Sequence, residues 1–183
     1  MLLAIIWGAK AGSLDSMLAK GEVSLLETYP DGRLEQVTAM AQVHAPIDQV
    51  WALLTDFAGY AQWMPQVKAV SVQSTTGSQS VVEWTVAVVG PDIKFVQRLV
   101  MDSAEHTITG THVSGALPGS HWNWSMAESG SGTLVQRTVR VNVVDSNWFI
   151  KQVEDEHHTL DYGINSAIGV VELRGLARAL AVK

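Results

Sequence analysis

The sequence predicts an α+β domain in which one antiparallel sheet is followed by a long C-terminal helix. Between residues 66 and 145, apolar runs of strand length alternate with short turn signals, which predicts six strands. The connections are too short for crossover helices, so neighbouring strands should be antiparallel. Residues 147–181 instead place apolar side chains three and four apart, which predicts one continuous helix.

A hairpin and two short helices precede these strands. Residues 22–44 alternate in polarity on either side of Tyr29-Pro30-Asp31-Gly32, a cluster typical of a turn. Pro46 suits the first turn of a helix over 46–55. A second short helical turn is expected before Pro65, which prevents its continuation.

The long helix has a predicted apolar stripe and three glycines. The stripe consists of Val153, His157, Leu160, Ile164, Ile168 and Val171. Gly163, Gly169 and Gly175 lower helix propensity and permit bending or close approach. Their spacing of six residues does not place them on one face, so a glycine packing seam is not predicted.

Length and composition favour one domain that binds no nucleic acid. The chain has 183 residues, a net charge of −6 and no cysteine, which excludes disulfides and thiolate chemistry. We assign residues 1–20 to an N-terminal extension and 21–183 to a single ligand-binding domain. The apolar run 2–7 is too short to span a membrane. A cytoplasmic location is favoured, with export as the alternative if residues 1–11 are the remnant of a signal peptide.

Residues 44–57, HAPIDQVWALLTDF, carry the most specific motif, and Tyr60, Trp63, Pro65 and Val67 continue it. This stretch resembles the opening of the START-like or Bet v 1-like (SRPBCC) superfamily, specifically its polyketide cyclase/dehydrase and coenzyme-Q-binding branch. The resemblance extends over about residues 35–180. It implies a helix-grip fold, in which a curved sheet wraps around the long helix and leaves a tunnel for a lipid, quinone, polyketide or other apolar molecule. It implies no shared catalytic motif and no cofactor.

Strand polarity identifies the side chains that should face this tunnel, because alternate residues share one face of a sheet. Gln97 and Arg137 are polar residues on otherwise apolar faces. The predicted ligand-binding residues are Trp84, Val86, Gln97, His112, Trp122, Trp124, Arg137, Val139, Val141, His157, Leu160 and Ile164. A cavity of at least a few hundred Å³ is expected between helix and sheet.

Arg137 has three interpretations at this stage. Its guanidinium reaches water near the strand end, anchors an acidic or carbonyl-bearing ligand, or pairs with an internal carboxylate. The histidines are less informative. Glu154, His157 and His158 have a spacing that permits a surface metal site, but a solvated charged turn is favoured and no metal is predicted.

Three functions follow. The favoured one is a non-catalytic carrier of an apolar or amphipathic small molecule, because no nucleophile with a base and no paired carboxylates lie on the expected concave face. The second is a cyclase or dehydratase with Arg137 as electrostatic clamp and His112 or His157 as general base. The third is a module that binds a protein partner through the N-terminal hairpin.

Overall fold

The computed structural model describes residues 11–88, 91–130, 132–142 and 159–181, with the side chains of 11–13 left out. Helix α1 (Ala11–Leu18) precedes strands β1 (Val23–Thr28) and β2 (Leu34–Val43), which form the predicted hairpin. Its turn is closed by a hydrogen bond of 2.9 Å from the Gly32 amide to the Tyr29 carbonyl, and the positive φ of Gly32 suits a glycine.

The remaining elements follow in the predicted order. Helix α2 (Ile47–Thr55), a 3₁₀ turn (Phe57–Gly59) and helix α3 (Tyr60–Trp63) come after the hairpin. The six strands are β3 (Val67–Thr76), β4 (Gln79–Val86), β5 (Ile93–Asp102), β6 (Thr107–Gly115), β7 (His121–Ser129) and β8 (Gly132–Arg140), and helix α4 (Leu160–Ala181) is the last element.

All eight strands form one antiparallel sheet in the order β1-β2-β8-β7-β6-β5-β4-β3. The register of β2 against β8 pairs Ala39 with Arg137, so the N-terminal hairpin continues the sheet beyond the last strand. The strand faces predicted from polarity are correct, since Val82, Trp84, Leu99, Trp124 and Val135 are buried. The antiparallel α+β architecture is therefore confirmed.

Helix α4 is continuous from Leu160 to Ala181, while its predicted beginning at 147 lies outside the described residues, as do Val153 and His157. It packs over β1, β2 and β8. A Cβ atom added to Gly169 would lie only 2.8 Å from the Cβ of Ala39, and one added to Gly175 would lie 2.8 Å from the Trp63 carbonyl oxygen. The two glycines thus permit close approach to two different neighbours, which agrees with the absence of a common glycine face.

The predicted apolar stripe of α4 differs from its most buried face. The buried side chains of the helix include Asp161, Asn165, Glu172, Leu173 and Leu176. By contrast, Ile164 and Ile168 are half-buried and Val171 is 40% exposed. Ile164, Ile168 and Val171 line a cavity beside the helix, whereas the face one residue further along is buried in the protein, where its polar residues have partners. Asp161, for example, forms an ion pair of 2.7 Å with Arg140.

Candidate functional site

A cavity of about 720 Å³ lies between helix α4 and the β4, β5, β7 and β8 part of the sheet. Its lining is mainly apolar and aromatic. Residues from the strands are Trp84, Val86, Ile93, Phe95, Gln97, Trp122, Trp124 and Arg137, and Val141 follows β8. Ile164, Ala167, Ile168, Val171 and Glu172 come from α4, and Tyr60, Met64, Gln66, Val67, Ala87, Val88, Pro91, Asp92, Leu117 and Ser120 complete the lining.

The cavity opens between the β4–β5 connection and α4. Five lining residues are exposed, and we call them the mouth: Val88, Pro91, Asp92, Ala167 and Val171. Four of them are apolar, and Asp92 forms an ion pair of 2.8 Å with Lys68. The entrance is therefore mainly apolar, with one carboxylate that already has a partner.

Arg137 lies at the buried side of the cavity with Glu172 of α4. Arg137 is 4% exposed and Glu172 is 5% exposed, and Arg137 Nε donates to Glu172 Oε2. Gln66 Nε2 donates to the other carboxylate oxygen, Oε1, at 2.9 Å. The structure therefore shows the internal ion pair, and burial excludes contact with bulk water. Ligand anchoring by Arg137 stays a prediction.

Two tryptophans of β7 hold the guanidinium of Arg137. Its central carbon lies 4.4 Å from the ring centroid of Trp122 and 4.5 Å from that of Trp124, distances at which a cation is attracted to an aromatic face. Gly110 on β6 makes room for Trp122, because any Cβ there would lie 2.4 Å from the Trp122 ring. The position of Arg137 is therefore fixed by the sheet as well as by Glu172.

Two further polar residues of the lining already have partners. Trp122 Nε1 donates to Gln97 Oε1 at 2.7 Å, and both residues are buried. Tyr60 donates its hydroxyl to the Leu54 carbonyl at 2.7 Å. Burial raises the pKa of Tyr60 far above its usual range, so the phenol stays neutral at any ordinary pH.

Most of the predicted ligand-binding residues line the cavity. They are Trp84, Val86, Gln97, Trp122, Trp124, Arg137, Val141 and Ile164. His157 lies outside the described residues. Three others are described and are not part of the lining: His112, Val139 and Leu160.

Local packing accounts for two of these three positions. Val139 is fully buried beneath α4, and a Cβ on Gly169 would lie 3.9 Å from its Cγ1 atom. Space that the prediction assigned to a ligand is filled there by the helix. The ring of His112 lies by the end of β6, with Nε2 3.4 Å from the Gly115 carbonyl oxygen. For Leu160 the structure offers no specific reason.

Sequence reasoning missed Glu172 and Gln66, the two partners that complete the polar end of the cavity. A signal for Glu172 was present, because Ile164, Ile168 and Glu172 follow one another at intervals of four along one helix face. A charge on an apolar stripe is expected to have a buried partner. Gln66 lies in the short connection between α3 and β3, where polarity patterns give no such indication.

Metal ligands and membrane-spanning helices both have recognisable arrangements. Across the described ranges, no three His, Asp or Glu side chains come together as a group that could hold a metal ion. Within the same ranges, none of the helices combines the length and the apolar character needed to cross a membrane.

Comparison with solved structures gives the same architecture. A protein from Thermus thermophilus superposes with a TM-score of 0.68 at 19% identity, over 81% of this chain and 99% of that one. A STAR-related lipid transfer protein from Xanthomonas axonopodis gives 0.64 at 16%, over 88% and 94%. The Zhui aromatase/cyclase from Streptomyces gives 0.60 at 17%, over 79% and 92%. At these identities the likeness concerns the fold alone.

The sequence comparisons identify the family. None of the curated proteins matches this sequence. The family model described as polyketide cyclase/dehydrase and lipid transport matches residues 35–160, which is more than half of the chain. This confirms the polyketide cyclase/dehydrase branch drawn from the HAPIDQVWALLTDF motif, whereas coenzyme Q as a ligand stays a prediction. The chain belongs to the polyketide cyclase/dehydrase and lipid transport family.

Proposed function

We propose that this protein binds and carries an apolar or amphipathic small molecule in the cavity between α4 and the sheet. The main support is the apolar stripe of α4. Ile164, Ile168 and Val171 line the cavity, although Ile168 also packs against the core, and Val171 keeps 40% of its surface exposed. When an apolar ligand covers such exposed apolar surface, the surface leaves water and the free energy of the complex falls.

The size and lining of the cavity agree with this proposal. Its volume of about 720 Å³ falls within the range of roughly 300–1,000 Å³ that is usual for small-molecule sites. The lining combines many apolar and aromatic side chains with a few polar groups, which is the common composition of such sites. The STAR-related lipid transfer protein shares the fold and, by its name, transfers lipids.

The hydrogen bonds that the polar lining groups already make within the protein favour carriage of a ligand over catalysis. Glu172 accepts hydrogen bonds from Arg137 and Gln66, so its carboxylate is held as a structural acceptor. Tyr60 is neutral and bonded to a backbone carbonyl. Both carboxylate oxygens of Glu172 are engaged by the protein, and a neutral phenol is a poor proton acceptor, so neither residue is set up as a general base in this arrangement.

A cyclase or dehydratase is the second candidate, because Arg137 lines the cavity and can stabilise a developing negative charge. The general base is the weak point of this alternative. His112 is not part of the lining, and His157 lies outside the described residues. A protein partner for the N-terminal hairpin stays a prediction.

The test uses Nile red, a neutral dye whose fluorescence rises in apolar surroundings, with the full chain. We expect saturable binding of one dye per protein. Val86→Trp adds bulk inside the cavity and should weaken binding at least tenfold. Val113→Trp is the matched control, because Val113 is 46% exposed on β6 and is not part of the lining.

Two outcomes would contradict the proposal. Unsaturable binding, or equal loss in both tryptophan variants, would mean that the dye adheres to the surface. The cyclase would be favoured if the wild-type protein turned over a polyketone and Arg137→Met did not, under conditions in which that variant is folded. Native mass spectrometry of gently purified protein should in addition reveal a co-purified small molecule if the protein is a carrier.

A further inference from the structure

Strand β1 forms one end of the sheet and carries exposed apolar side chains. Among the described strands it pairs only with β2, which leaves the hydrogen-bonding groups along its other side for a further strand. Leu25 is 38% exposed and Leu26 is 46% exposed, and consecutive residues of a strand lie on opposite faces of the sheet. The edge therefore offers backbone groups between two apolar side chains, which is a surface that another strand can join.

Exposed apolar side chains are concentrated in this part of the chain. Nine large apolar side chains are exposed among the described residues, and four of them lie between positions 17 and 29: Met17, Leu25, Leu26 and Tyr29. The match to the family model begins only at residue 35, so these four lie outside the part of the chain that the family defines. Such a concentration is typical of an interaction surface that is particular to this protein.

The opposite edge of the sheet, strand β3, is less suited to pairing with another chain. Its register against β4 shifts twice within the strand. Irregularities of this kind bend an edge strand and hinder the addition of a further one. In β1 the register shifts only between Glu27 and Thr28, at the end of the strand. Residues 23–27 are therefore regular and can continue the sheet.

Strand β1 is complementary to itself about Leu25. When a two-fold axis relates two antiparallel strands, the residue on the axis faces its own copy, and residues equally far before and after it face each other. With the axis at Leu25, Ser24 faces Leu26 and Val23 faces Glu27. No like charges face each other in this register. An axis at Leu26 would instead set the exposed Leu25 against the carboxylate of Glu27.

The two carboxylates of this segment already have partners within their own copy. Gln36 Nε2 donates to Glu27 Oε1 at 2.9 Å. Arg174 donates to both carboxylate oxygens of Glu22 at 3.0 Å. The edge therefore brings little uncompensated charge to the axis, although the whole chain has a net charge of −6.

We propose that β1 is a self-association surface, at which two copies of this chain join their β1 strands in antiparallel register with Leu25 on the two-fold axis. The two eight-stranded sheets then continue into each other. This inference goes beyond ligand binding and does not depend on it, because Leu25 and Leu26 are not part of the cavity lining. A contact based on one strand of six residues is small, so we expect a dissociation constant on the order of micromolar.

Single cysteines test the contact, because the chain has no cysteine of its own. Opposite Cα atoms of an antiparallel pair lie about 4.5–5.5 Å apart, within the range that a disulfide spans. In a glutathione redox buffer we therefore expect Leu25→Cys to form a covalent dimer. Val113→Cys is the matched control, because Val113 is 46% exposed on β6, an inner strand of the sheet. It should stay monomeric.

A mixture of two variants tests the register. Val23→Cys and Glu27→Cys face each other across the axis, whereas two identical cysteines at either position lie about 13 Å apart along the pair, too far for a disulfide. With a size tag on one variant, the mixed disulfide should form in preference to both homodimers. Formation of all three in equal amounts would overturn the proposed register.

Sedimentation velocity of the full chain over micromolar concentrations tests the association without any cysteine. Leu25→Lys sets two ammonium groups opposite each other, so its dissociation constant should be at least about tenfold higher than that of the wild type. Val113→Lys is the control and should leave it unchanged.

Three results would overturn self-association at β1. They are a wild type that stays monomeric throughout, equal cross-linking of Leu25→Cys and Val113→Cys, and a dimer that Leu25→Lys does not weaken. If Leu25→Lys fails to fold, the wild type and the cysteine variants still decide. Loss of Nile red binding would concern the cavity alone, so the two proposals fail separately.

Discussion

Helix α4 packs differently against the two halves of the concave face of the sheet. Over β1, β2 and β8 the helix packs closely, with Gly169 against Ala39 and fully buried Leu173 and Leu176 nearby. Over β4, β5 and β7 the same helix leaves a cavity of about 720 Å³. One helix therefore has a face that packs into the core, with a glycine where the backbones approach closely, and a mainly apolar face that lines the cavity.

This difference explains how the fold keeps a cavity and remains stable. Close packing on the β1, β2 and β8 side supplies dispersion contacts and buried apolar area. The Arg137–Glu172 pair joins β8 to α4 at the boundary between the two halves. The cavity half is then free to leave apolar side chains such as Val86 and Ile164 along the cavity wall.

The largest expected effect is at this boundary. Arg137→Met leaves Glu172 buried without its cation, and breaking such a pair from one side costs about 3–5 kcal/mol of the free energy of unfolding. The double variant Arg137→Met/Glu172→Met removes both charges and should recover most of that loss. Urea unfolding of the three proteins measures it. Equal stability of the wild type and Arg137→Met would show that the pair does not couple helix and sheet.

A second prediction compares the same substitution in the two halves. Val139→Ala removes two buried carbons from the packed half and should cost about 2 kcal/mol, because a cavity remains. Val86→Ala faces space that already exists and should cost less than about 1 kcal/mol. Chemical denaturation of both variants provides the measurement. Equal costs would mean that the cavity half is packed as tightly as the other.

How much the sequence could predict depends on the kind of interaction. Strand polarity correctly placed Trp84, Trp124 and Arg137 on the concave face, because alternation along a strand is a local property. The pairing of Arg137 with Glu172 joins residues 35 positions apart in the sequence. No local sequence pattern relates residues that are so far apart along the chain. The alternatives for Arg137 therefore remained open until the structure showed where α4 lies over β8.

The position of Val139 was missed for a related reason. The apolar stripe of α4 lines the cavity through Ile164 and Ile168, so its periodicity does not show which face of the helix packs against the sheet. Val139 and Val141 alternate onto the same face of the sheet. Only Val139 lies beneath Gly169, where α4 approaches the sheet closely. Which strand residues meet the helix depends on the position of the helix over the sheet.

The smallest expected effects come from two glycines of α4, and they sharpen the comparison by their opposite signs. In Gly169→Ala the new Cβ meets the Cβ of Ala39 at 2.8 Å, so strain of about 1–3 kcal/mol opposes a helix gain of about 1 kcal/mol. In Gly163→Ala the new Cβ has nothing within 4 Å, so only the gain remains. Thermal unfolding should therefore show a lower midpoint for Gly169→Ala and a higher one for Gly163→Ala. A rise in both would mean that the helix is free to move away from β2, and the close packing of that half would then have to be reconsidered.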